Sequence, residues 1–87
     1  MAQLDLVVRN GTVVTAADSV RCDVGVKDGR VALLGEGLRG AREIDATGRL
    51  VLPGGVDSHV HIDETPFYGV TCADDFESAT RSAACGG

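Results

Sequence analysis

Over residues 4–52 the chain alternates short apolar, β-branched runs with two-residue polar breaks. "LDLVVR" and "TVVT" flank Asn10-Gly11, a dipeptide that tolerates positive φ at both positions and so signals a two-residue hairpin. "DVGVK" and "RVALLG" flank Asp28-Gly29 in the same way, and after "EGLRGA" come "REIDA", a Thr47-Gly48 turn and "RLVL". Turn signals recurring at about 8–12 residues mark a small all-β unit. The pattern predicts a β-meander or sandwich of about five or six strands over residues 1–52.

The pattern changes at Pro53-Gly54-Gly55. "VDSHVHI" alternates like a strand, "DETPFYGVT" has no period, and from residue 73 to 85 a helix is predicted. Its apolar and small positions Phe76, Ala79, Thr80, Ala83 and Ala84 recur at i, i+3, i+4, i+7 and i+8, the spacing of one buried face. Thr71 with Asp74 resembles a capping box, and Asp74, Asp75 and Glu77 place negative charge at the positive end of the helix dipole. Gly86-Gly87 supplies the stop. A lone β-α unit gives its strand no partner and its helix no sheet. Residues 53–87 are therefore expected to open a larger β/α domain, with the chain as its amino-terminal part.

Both histidines of the chain, His59 and His61, fall in that predicted strand, bracketed by Asp57 and Asp63. Alternation places Val56, Ser58, Val60 and Ile62 on one face and Asp57, His59, His61 and Asp63 on the other. With a helix covering the apolar face, the polar set points into a barrel, where unpaired charge is costly. A metal ion resolves that cost. Residues i and i+2 lie about 6.6 Å apart along a strand, and two imidazoles on one face can converge on an ion at about 2.0–2.1 Å from each nitrogen. Asp57 is placed to orient an imidazole by accepting its other N–H. Asp63 lies at the strand's carboxyl end, where barrel enzymes build their sites, and the loop after it carries Phe67 and Tyr68 toward a substrate. A bare H-x-H also arises on exposed strands without function, so the flanking turn, the acids and the following helix carry the weight of this reading. Cys72 reads as a structural thiol, because the histidines are better used as ligands than as its base.

Gly35-Glu36-Gly37-Leu38-Arg39-Gly40 matches G-x-G-x-x-G. A dinucleotide fingerprint needs a helix to start inside the motif, and "AREIDATG" alternates like a strand instead. The stretch reads as a glycine-rich hairpin loop.

A net charge of −5 provides no basic stripe for a nucleic-acid backbone. There is no basic n-region followed by an apolar run, and no apolar stretch long enough to span a bilayer. A cytoplasmic protein without nucleic-acid or membrane partners is expected. Cys22, Cys72 and Cys85 are odd in number and irregularly spaced, which suits reduced thiols.

The stretch "LVLPGGVDSHVHID", preceded by "VVRNGTVVTAADSVRCDVGVKDGRVALLG" and followed by "TCADDFESATRSAACGG", resembles the amino-terminal part of the metal-dependent amidohydrolase superfamily, and within it the hydantoinase and dihydropyrimidinase branch. The resemblance implies a small β-sandwich-type unit (1–52), the amino-terminal part of a composite domain. It implies that residues 53–87 are the first strand, loop and helix of a TIM (β/α)8 barrel. It assigns His59 and His61 as metal ligands and places no catalytic residue within residues 1–87. It further implies two zinc ions bridged by a carboxylated lysine, two more histidines and an aspartate base outside these residues, a cyclic-amide substrate whose C–N bond is hydrolysed, and a homo-oligomer, a tetramer. Dihydroorotases and allantoinases commonly carry an arginine soon after the second histidine; here Asp63-Glu64 stands there. That pair would repel a carboxylate, so a neutral hydantoin or dihydropyrimidine ring fits better. The alternatives are a dihydroorotase- or allantoinase-type hydrolase, a non-catalytic scaffolding homologue, and a β-rich binding module with an incidental H-x-H.

Overall fold

The computed structural model describes residues 3–63, 69 and 71–87. The chain divides into two compact units, Met1–Pro53 and Gly54–Gly87.

The first unit is a five-stranded sheet of β1 (Leu4–Val14), β2 (Ser19–Lys27), β3 (Arg30–Gly35), β4 (Gly40–Asp45) and β5 (Leu50–Val51). Spatial order is β3-β2-β1-β4, with β5 also on β1. The Asp28-Gly29 hairpin forms as predicted: both residues have positive φ, 51° and 74°, and β2 and β3 pair antiparallel.

The Asn10-Gly11 hairpin does not form. Residues 4–14 are one continuous strand, antiparallel to β2 on both sides of a bulge. Val8 faces Val24 and Gly11 faces Cys22, so β1 advances by three residues where β2 advances by two. Asn10 takes the extra position at φ 64°, in the left-handed region that Asn enters at low cost. Both flanks of the dipeptide find a partner in the same β2, and that pairing overrides the local turn preference.

Nor is the unit a meander. β4 and β5 run parallel to β1, meeting its two halves in succession: Leu4 to Arg9 against β4, then Thr12 and Val13 against β5. The switch falls at the bulge. Ala46 N–H donates to the Arg9 carbonyl (2.8 Å) and Thr12 N–H to the Arg49 carbonyl (3.0 Å), on either side of the 46–49 turn. Gly11 makes room for this turn, since a Cβ there would lie 2.5 Å from Val51 Cγ2 and 3.1 Å from Ala46 Cβ. The glycine-rich stretch is likewise a crossover rather than a hairpin loop. Residues 36–39 carry the chain from β3 past β2 and β1 to β4, and Leu38 packs with Leu4 and Leu33 over Gly25, where a Cβ would meet all three leucines.

The core is small: Leu4, Val7, Val13, Val24 and Ala46, with Val7 fully buried. A single sheet, rather than the two facing sheets of a sandwich, leaves apolar side chains outside. Val13, Val14, Val24, Val31, Leu34 and Leu52 border an apolar groove of about 290 Å³.

Asp23 is buried, at 3% exposure, directly beside the bulge. Its Oδ1 accepts the Asn10 N–H (2.9 Å) and its Oδ2 the Leu38 N–H (3.0 Å). The Asn10 N–H is the largest cause holding this carboxyl below its ordinary range; burial opposes it, and the Leu38 N–H, the Arg9 charge and the Gly37 N–H add to it.

In the second unit, helix α1 (Phe76–Gly86) starts three residues later than predicted. The capping box is Asp75 with Ser78, not Thr71 with Asp74. Asp75 Oδ1 accepts the Ser78 N–H (2.8 Å) and Ser78 Oγ accepts the Asp75 N–H (3.1 Å). The reciprocal pair fixes the first turn, while Asp74 only accepts from Ser78 Oγ. Gly87, at φ 86°, ends the helix as expected, and its carbonyl accepts the Gly55 N–H (2.7 Å). No residue of α1 is buried, and Phe76 is 62% exposed. The predicted buried face thus has no sheet against it in this unit.

Two predictions follow from the bulge. Asp23→Ala leaves two buried N–H groups without an acceptor and is expected to cost about 2–4 kcal/mol, at roughly 1–3 kcal/mol per stranded donor. Hydrogen exchange should show the Asn10 and Leu38 amides losing protection first. Because the folded carboxyl is more acidic than the unfolded one, its contribution is complete above the unfolded value of about 3.9 and lost as pH falls through the lower folded value. The wild-type advantage over Asp23→Ala in thermal melts should therefore shrink below pH 4 and hold at neutral pH. Gly11→Ala should destabilise by about 1–3 kcal/mol through overpacking, and Gly11→Ala combined with Val51→Ala should recover part of that loss in the same melts.

Candidate metal site

Residues 56–62, predicted as a strand, have no strand structure here. A strand exists by pairing, and no strand in the Gly54–Gly87 unit offers a ladder to this segment. The apolar residues expected to pack are out in solvent, Val56 at 94% exposure and Val60 also exposed, with only Ile62 half-buried.

Another local force shapes the segment. Asp57 Oδ1 accepts the His59 backbone N–H at 3.1 Å, an Asx turn in which a side chain takes the place of a backbone carbonyl. The chain bends at Ser58 and His59, and at the far end Asp63 turns it again at φ 48°. Between the two turns the imidazoles of His59 and His61 meet, with ring centroids 5.1 Å apart, planes tilted by 38°, and Nε2 atoms 3.1 Å from each other.

With neutral rings of opposite tautomer, one Nε2–H donates to the other's lone pair. With both protons on Nδ1, the two lone pairs face one point. Two nitrogens each about 2.05 Å from a shared ion at a tetrahedral angle stand about 3.3 Å apart. The observed 3.1 Å is within a few tenths of an ångström of that, so the pair fits a divalent cation in both chemistry and spacing. It supplies two ligands, and among the described residues no group of three or more His, Cys, Asp and Glu side chains converges.

The structure thus brings His59 and His61 together, although not on a strand. It gives Asp57 a different partner from the imidazole N–H expected of it. Asp63 closes the segment as a turn residue. Phe67 and Tyr68, and Glu64 beside Asp63, lie outside the described residues. Cys22, Cys72 and Cys85 are all free thiols, with Cys85 exposed and the other two half-buried. Among the described residues no helix is long and apolar enough to cross a membrane. Two features escaped the sequence reading. Asp23 could have been suspected as a lone acid inside the β-branched run "CDVGV", and the Asp57 turn from the D-x-H spacing, since Asx turns close on residue i+2.

Residues 42–84, the stretch holding β4, β5, the histidine pair and most of α1, match the Amidohydrolase family. The chain belongs to that family. Within it, the chain is 48% identical to a D-hydantoinase of Ralstonia pickettii over 97% of its own length, and 48% identical to an allantoinase of Rubrobacter xylanophilus over all of it. A solved D-hydantoinase structure superposes on 97% of the chain with a TM-score of 0.86 at 47% identity. The chain spans 18% of the length of that structure and 18–19% of the two relatives.

Proposed function

We propose that this chain is the amino-terminal part of a metal-dependent cyclic amidohydrolase that opens a neutral ring, a hydantoin or dihydropyrimidine, at its C–N bond. The observation that carries the reading is the convergence of His59 Nε2 and His61 Nε2 at 3.1 Å in a chain of the Amidohydrolase family. The D-hydantoinase relatives support the substrate class. On this reading residues 53–87 begin a TIM barrel, and the sheet of residues 4–52 is one part of a composite β-domain.

His59 and His61 would hold the metal through their Nε2 atoms, with zinc the natural choice for imidazole ligands. A divalent ion bound there supplies a water that ionises near neutral pH and a Lewis acid for the ring carbonyl. The chain's own part is to present two neutral lone pairs at fixed separation. Asp63 sets a negative charge beside the pair, which disfavours a substrate carboxylate and leaves a neutral ring as the better ligand. The remaining ligands, a bridging carboxylated lysine and an aspartate base belong to the rest of the protein. The free thiols fit a cytoplasmic enzyme. The same family likeness implies a homo-oligomer. The allantoinase relative favours one neighbouring reading, since allantoin is itself a neutral substituted hydantoin.

Metal analysis of the full-length protein should find zinc or a similar divalent ion. His59→Ala and His61→Ala should each lower bound metal at least tenfold and abolish most turnover. Wild-type metal content in both variants would refute the assignment. In side-by-side assays, hydantoin, allantoin and dihydrouracil should be opened and dihydroorotate left nearly untouched. A preference for dihydroorotate would reverse the choice of substrate class, and allantoin outpacing unsubstituted hydantoin would select the neighbouring reading.

A further inference from the structure

The Asx turn assigns Asp57 a role that differs from the usual use of an acid beside a metal-binding histidine. An acid of that kind accepts the second ring N–H, fixing the tautomer and raising ligand basicity. Here the Asp57 carboxylate oxygen accepts the His59 backbone N–H at 3.1 Å. The bend sits at Ser58 and His59, immediately before the two rings meet. Without it, an extended backbone would hold the two Cα atoms about 6.6–7 Å apart with the rings side by side, and their convergence would rest on side-chain rotamers alone.

We infer that Asp57 is a positioning residue: it sets the backbone turn that brings His59 Nε2 and His61 Nε2 to chelating distance, and it acts through its carbonyl-type oxygen rather than through its charge. The inference rests on the metal-site reading above and goes a step further. It says which atom of the chain organises the two ligands before an ion arrives. Pre-organisation of this kind lowers the ordering cost of binding, so its loss appears as weaker metal affinity.

The chemistry gives a crossed test. Asn keeps an sp² oxygen at the same distance from the backbone and makes the same turn. Glu keeps the charge, but its extra methylene carries the carboxylate past the i+2 amide. Zinc affinity of the full-length protein is measured by competition with a chromophoric chelator for wild type, Asp57→Asn, Asp57→Glu and Asp57→Ala, with thermal melts beside each. The expected result is Asp57→Asn within about threefold of wild type, and Asp57→Glu and Asp57→Ala weakened about 10–100-fold, the range for loss of a residue that orients a metal ligand. If Asp57→Ala fails to fold, the Asn and Glu pair decides alone. Retained affinity in Asp57→Glu with loss in Asp57→Asn would show that charge is what matters and overturn the inference. Wild-type affinity in both Asp57→Glu and Asp57→Ala would overturn it as well. A wild-type protein that binds no zinc would instead strike down the metal-site reading itself, so the two failures are distinguishable.

Discussion

One buried carboxylate sets the architecture of the β-unit. Asp23 sits in β2 beside the extra residue of β1 and takes one N–H from that bulge and one from the crossover loop. A carboxylate in a nearly dry position is tolerated only when its oxygens are satisfied, and here backbone donors from two separate segments satisfy it. Each segment is thereby held where the other needs it. With the bulge fixed at Asn10, β1 can exchange β4 for β5 along one edge while keeping β2 along the other. With residue 38 fixed, the leucine there covers Gly25 and the chain arrives at Gly40 in register with Leu4.

This explains why two identical turn signals had different outcomes. Asn10-Gly11 and Asp28-Gly29 are equally good hairpin dipeptides by backbone preference. At Asp28-Gly29 the flanking runs have only each other, and the hairpin forms. At Asn10-Gly11 both flanks pair with β2, whose nine residues are long enough to meet nearly all of β1. Local propensity is legible residue by residue, but the competition between alternative partners is not, because it depends on pairings made across the chain. The parallel placement of β4 and β5 was hidden for the same reason: turn residues announce that the chain reverses or pauses, and say nothing about which strand it returns to. The strand segments themselves, four of them with nearly correct bounds, were readable from apolar runs and glycines.

At the candidate site the identities were readable and the mechanism of assembly was not. Two histidines spaced by one residue and bracketed by acids pointed to a chelating pair, and the rings do meet. The reasoning behind it relied on strand alternation, which needs a neighbouring strand that the Gly54–Gly87 unit does not supply. What remains when the ladder is missing is the strongest short-range interaction in the sequence, an Asp two residues before a free N–H. The helix shows the same principle. Several acids crowd its start, and the one chosen as cap is the one whose i+3 neighbour, Ser78, can answer it.

The two acids, Asp23 and Asp57, illustrate how sequence separation determines what a polar contact can do. Asp23 joins residues 13 and 15 positions away, so its bonds carry a loop-closure cost that the rest of the sheet must offset, and they hold only as the sheet holds. Asp57 joins a residue two positions away, which closes almost no loop and needs no core beneath it. A chelating pair organised by such a turn can form in an exposed segment, as this one does. It also follows that the pair's spacing is insensitive to the packing of distant elements, whereas its affinity is not. Two imidazoles fall short of the three protein ligands of a catalytic zinc site, so on the proposed reading the turn defines where the ion sits, and the groups that complete its coordination decide how tightly it is held.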